Sequence, residues 1–226
     1  MPARKRSKSK NNGSSMGKKR SFGKSKWPFP HGLYPSVAAS DFFCSVSHAY
    51  ASFMLISYPG LKLAGLGFLL VSLASFVGTL RFGFTEDLAG LNGDFANLAG
   101  FVGLPCVGCS VLIHGGFTPP FGNEELIMMF VVLYSLSHSL STRTKDLGTI
   151  LLNILCFVLP LCYDSYVNGN INEFIGLFLF VIGAAFVGPE REKFLCGVRC
   201  ENWFHYFLGV SAVIISRELS QATRLL

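Results

Sequence analysis

Seven apolar runs divide this chain, at about residues 37–58, 61–84, 94–115, 124–141, 147–163, 171–188 and 202–219. Each is close to the ~20 residues that a helix needs to cross a bilayer's ~30 Å of hydrocarbon. In lipid every backbone N–H and C=O must be satisfied within the chain, so runs of this length are expected as helices. The predicted class is therefore all-α: a polytopic transmembrane helical bundle of seven spans. The seventh run is the shortest in its clean apolar part, Trp203–Ser216, which leaves a six-span alternative. It is apolar on all sides, however, whereas a helix lying in the interface needs a charged face. Only 14% of the chain is charged, against about 25% in soluble domains.

Residues 1–36 precede the first run and hold ten of the 19 Lys and Arg residues, with no acid. Ser, Asn and Gly fill the remainder up to Lys26, so residues 1–36 are expected to be a disordered polybasic tail. A basic block directly ahead of a first span stays cytosolic and orients everything after it. The net charge of +6 belongs to this tail, because residues 37–226 carry nine basic and 13 acidic residues. Lys18, Lys19, Arg20, Lys24 and Lys26 are the expected contacts to anionic lipid, each worth about 1 kcal/mol near such a surface. Nucleic acid is not an expected partner of an arm tied to a membrane. The lipid bilayer and other membrane proteins are.

With the tail inside, the inner links carry Arg81, then Arg143 and Lys145, then Arg191, Lys193 and Arg199. Only Lys62, Arg217 and Arg224 fall outside, so the alternation follows the positive-inside rule for every internal span. Residues 37–219 form the bundle and 220–226 a short C-terminal tail. Slightly short spans favour a thin membrane such as the endoplasmic reticulum or another endomembrane. The seven cysteines suggest no disulfide framework. Five lie in apolar runs, where Cys acts as a small hydrophobe, and Cys196 and Cys200 lie in a link on the reducing, cytosolic side.

Ionisable groups inside a bilayer are functional candidates, because they are costly there. At 1.5 Å per residue, Asp41 lies about 6 Å from the inner face and His48 about 17 Å, near mid-bilayer. Asp41 and His48 are thus the intramembrane polar residues. His138 and His205 each lie about 5 Å from the inner ends of their spans, in the layer of Asp41. Asp41, His138 and His205 supply two imidazoles and a carboxylate, enough for a zinc ion with an open coordination position. No cofactor is expected on the leading reading; zinc belongs only to the alternative, where the ion would generate a hydrolytic nucleophile from water. No catalytic residue follows from the sequence, and no Walker loop, dinucleotide glycine pattern or G-x-S-x-G is present.

Seven spans, an inside tail and an inner histidine layer make the arrangement broadly similar to the seven-helix membrane hydrolases that include alkaline ceramidases and the progestin and adipoQ receptors. The resemblance implies zinc-dependent hydrolysis of a lipid. Those families carry H-x-x-x-H on the last helix. Here the matching stretch is Trp203-Phe204-His205-Tyr206-Phe207-Leu208-Gly209, where Gly209 replaces the second histidine.

Since no catalytic set is complete, the leading expectation is a non-enzymatic multi-pass membrane protein that assists or scaffolds other membrane proteins or lipids. The zinc-dependent intramembrane hydrolase is one alternative and a small-solute transporter another. Transporters often contain repeats with broken helices in matching positions. Pro105 and Pro160 interrupt the third and fifth runs, without an evident repeat around them.

Overall fold

The structure, a computed structural model, describes residues 33–118, 122–187 and 194–224. The five tail residues assigned to lipid, Lys18, Lys19, Arg20, Lys24 and Lys26, lie outside the described residues, as do Arg191 and Lys193. Seven helices make up almost all of the described residues: α1 (Pro35–Ile56), α2 (Lys62–Gly83), α3 (Ala89–Leu98, continuing to His114), α4 (Asn123–Ser137), α5 (Thr142–Asn153, continuing to Val167), α6 (Ile171–Ile182) and α7 (Cys200–Arg224). Two strands, β1 (Phe194–Leu195) and β2 (Val198–Arg199), pair as a short antiparallel hairpin before α7. The fold is all-α. Three helices are long and apolar enough to cross a membrane, Pro59–Gly83, Glu86–His114 and Thr144–Val167, and Ile171–Ala185 is apolar but shorter.

Local chemistry sets where these helices begin. Pro35 opens α1 with its φ already helical and no N–H to satisfy. Thr85 accepts a hydrogen bond from the Asp87 backbone N–H, and Glu86 and Asp87 sit in the first turn, where they favour the positive helix end. The third helix therefore starts well ahead of residue 94, and the polar link expected over Thr85–Gly93 is mostly helical. Ser141 caps α5 in the same way, accepting from the Thr144 N–H at 3.3 Å, so that helix begins before residue 147. In contrast, α4 ends at Ser137, short of residue 141. At 15 residues it is about 22 Å long.

Three helices contain a π turn: Ala99–Gly103 in α3, Ile154–Val158 in α5 and Gly183–Val187 following α6. The first two are 55 residues apart at both ends, Ala99 to Ile154 and Gly103 to Val158. Each is followed two residues later by proline, Pro105 and Pro160. The two bends thus share one local pattern, a π turn followed by proline. Each π turn inserts one residue and re-aims the helix beyond it.

The helices alternate in direction. Tyr34, ahead of α1, donates its backbone N–H to the Phe82 carbonyl at the end of α2, and its ring stacks under Arg199 of β2, just ahead of α7. At the other end, Ser110 of α3 bonds the Gly60 carbonyl and Asn172 of α6 bonds Glu218 of α7. The main core joins Leu55 of α1, Phe68 of α2, Val107 of α3, Phe157 of α5, Leu177 of α6 and Ile215 of α7. The α4 helix packs through Leu126 and Phe130 onto Phe101 and Cys106 of α3.

Candidate functional site

The candidate site is a polar seam on α1. Ser40, Asp41, Cys44, Ser45, Ser47, His48 and Ser52 are all buried, while Phe42, Val46, Tyr50 and Phe53 of the same helix face outward. Residues 41, 45, 48 and 52 recur at helical spacing, so one face carries the polar groups. Phe53 is 74% exposed, whereas Asp41 is 3% exposed. This is the reverse of the usual arrangement, in which apolar side chains are inside.

The seam is bonded to α2 and α7. Ser45 and Ser72 exchange hydrogen bonds reciprocally, each hydroxyl donating to the other's backbone carbonyl at 3.0 and 2.9 Å. His48 Nδ1 lies 2.8 Å from the carbonyl of Cys44, one turn back, and its ring packs against Phe68. Asp41 Oδ1 lies 3.1 Å from His205 Nε2 on α7. Ser40 Oγ lies 2.9 Å from the Val37 carbonyl, 3.2 Å from His205 Nδ1 and 3.5 Å from Asn202 Oδ1, acceptors that share its single proton. One neutral tautomer suits both ring contacts: Nε2–H donates to Asp41, and Nδ1 accepts from Ser40.

Glycines make room for these groups. A Cβ on Gly78 of α2 would stand 2.5 Å from Asp41 Oδ2, so only a residue without a side chain leaves space for the carboxylate. A Cβ on Gly209 would meet the Phe43 ring at 2.7 Å and Ser47 Oγ at 3.1 Å. Gly209 is thus a close-approach residue between α1 and α7, and no histidine fits in its place.

The predicted zinc ligands separate. Asp41 and His205 are in direct contact, but His138 is exposed on α4, where it bonds the Tyr134 carbonyl of its own helix at 3.1 Å and packs against the Tyr134 ring. Among the described residues no group of three His, Cys, Asp or Glu side chains is placed to hold a metal. Both ring nitrogens of His205 face protein partners, so the donor set does not fit a zinc ion. A shared depth does not make helices neighbours, and α4 packs on α3.

Ser40, His205 and Asp41 have the connectivity of a nucleophile, base and orienting acid. Ser40 is fully buried, however, and its hydroxyl is spent on its own helix as well as on α7. A nucleophile must reach its substrate. The arrangement works instead as a clamp between helices. Ser40, Cys44, Ser72, Gly78 and Asn202 were not singled out by sequence reasoning. The signal available was the polar stripe at helical spacing on α1 and the Asn202-x-x-His205 turn on α7. Comparison with known proteins finds no matching family model, no matching curated protein and no matching solved structure.

Proposed function

We propose that this chain is a multi-pass integral membrane protein with seven spans, a cytosolic basic tail and a non-enzymatic role in assisting or scaffolding membrane proteins or lipids. The observation that carries the reading is the polar stripe buried in α1, from Ser40 to Ser52, beneath an outer face that is apolar. A helix of this kind is soluble in lipid through its outer face and is held to its neighbours by hydrogen bonds. The exposed Met128, Val132, Leu136, Ile150, Leu151 and Leu155 extend the apolar exterior over α4 and α5. Ten basic residues in the tail favour contact with anionic headgroups on the cytosolic side, and a thin endomembrane suits the 15-residue α4.

The bonding of the seam supports a structural role: Ser45 is bonded to Ser72 of α2, and Ser40 and Asp41 both meet His205 of α7. The test is purification of the full chain in mild detergent, wild type beside His205→Ala. Both should lack stoichiometric zinc and neither should hydrolyse lipid, while the variant loses thermal stability. Zinc or lipid hydrolysis present in wild type and lost in His205→Ala would replace this reading with the hydrolase.

A further inference from the structure

The geometry points to a binding site for a small organic cation, an amine or quaternary ammonium, in the cavity between the C-terminal ends of α3 and α5. The cavity has a volume of about 500 Å³ and is lined by Leu112, Gly115 and Phe117 from the α3 end and by Tyr163, Asp164 and Val167 from the α5 end, among others. That volume lies within the range of small-molecule sites, ~300–1,000 Å³. The walls combine one carboxylate with two aromatic side chains, and the remainder is largely apolar. An ammonium group is attracted to a carboxylate and to the faces of aromatic rings, and its carbon substituents suit the apolar walls.

Behind Asp164 stands a second carboxyl. Glu173, at the start of α6, is 1% exposed and its Oε1 has no hydrogen-bond partner. Its carboxyl interacts with that of Asp164, and Glu218 of α7 adds a further negative charge nearby. Asn170 fixes the position of Glu173 by accepting from its backbone N–H at 3.2 Å. The charge presented to the cavity is that of Asp164, with the Glu173 carboxyl buried behind it. The acids do not converge as metal ligands among the described residues, and a single metal ion would leave most of the cavity unfilled.

The fold builds this cavity from its matched bends. The two walls are the segments beyond the π turns, Leu104–His114 and Leu159–Val167. Below them α3 and α5 run side by side with glycines in the seam: a Cβ on Gly108 would enter the Cys156 backbone, and one on Gly100 would meet Thr149 at 3.1 Å. At the last glycine of the series, Gly115, the facing residue is Asp164, with Oδ1 3.4 Å from the position of a Cβ. The tight seam thus ends at the carboxylate, where the cavity begins.

The test is calorimetric titration of the detergent-purified full chain with choline and with tetramethylammonium, beside 3,3-dimethyl-1-butanol, the neutral isostere of choline. Both cations should bind saturably and the neutral isostere should not. Asp164→Asn should weaken choline at least ~10-fold, as expected for loss of a close charge. Phe117→Leu, which preserves bulk, should weaken it ~2–10-fold through loss of the ring. Far-UV circular dichroism establishes that each variant is folded, and Phe117→Leu serves alone if Asp164→Asn does not fold. Absence of saturable binding to folded wild type, equal binding of the isostere, or unchanged affinity in the folded variants would each overturn the assignment. Calcium binding at the same site in preference to either ammonium would also overturn it.

Discussion

Gly78 and Asp41 share one volume of space, and this makes them energetically dependent. Gly78→Ala pushes a methyl group into a carboxylate 2.5 Å away, and overpacking of this kind costs about 1–3 kcal/mol. Removing the carboxylate removes the clash, so the penalty of Gly78→Ala should shrink when combined with Asp41→Ala. A double-mutant cycle on detergent-solubilised protein, followed by thermal unfolding, should give a coupling above ~0.5 kcal/mol. Additive effects would show that the two residues do not meet. His205→Ala acts differently, because it removes the imidazole 3.1 Å from Asp41 while leaving the carboxylate buried. Losing a hydrogen bond to a buried charged group costs about 1.5–3 kcal/mol. His138→Ala, on an exposed site bonded only within α4, should change stability by less than ~0.5 kcal/mol. Equal losses for His138→Ala and His205→Ala would contradict the separation of the two histidines.

The paired π turns set the aim of α3 and α5. Deleting Gly100 converts the α3 π turn to ordinary helix and removes the bulge that re-aims the segment beyond it. Val107 and Val111, now buried in the main core, would then face other surroundings. The expected outcome is loss of the monodisperse peak in size-exclusion chromatography, whereas deleting a residue at the exposed Gly90 should be tolerated better. Seven helices were legible in the sequence, because runs near the bilayer length admit no other backbone. Their starts were less so, since the caps at Thr85 and Ser141 lie in polar stretches that hydropathy passes over. The π turns were not legible, because Pro105 and Pro160 mark the bend but not the extra residue that produces it. At the candidate site, depth along each helix grouped Asp41, His138 and His205, but depth carries no information on adjacency. That information lies in packing, where α1 meets α2 and α7 while α4 meets α3.

The contact of Tyr34 with Arg199 places the start of α1 and the residues ahead of α7 at one end of the bundle. With the tail cytosolic, Asn12 in the one acceptor triplet Asn12-Gly13-Ser14 never meets the glycosylation machinery. Expression in eukaryotic cells should therefore give no endoglycosidase-sensitive shift, and a shift lost on Asn12→Gln would reverse the orientation. A tag after Leu226 should be protected in cells whose plasma membrane alone is permeabilised, while antibody access would favour six spans. Alkaline carbonate should leave the full chain in the membrane pellet. Release into the supernatant would mean that the exposed apolar faces of α4 and α5 are covered by protein and not by lipid.

The contact of Ser40 with Asn202 joins residues 162 positions apart. At about 5–20 residues per second of synthesis, α1 is complete roughly 8–30 s before its partner emerges from the ribosome. In that interval α2 can already satisfy Ser45 and receive Asp41 over Gly78, but the imidazole has not yet been made. On the proposed seven-span reading, Asp41 is therefore made long before the imidazole that meets it, and the first helix is matched only when the last one closes onto it.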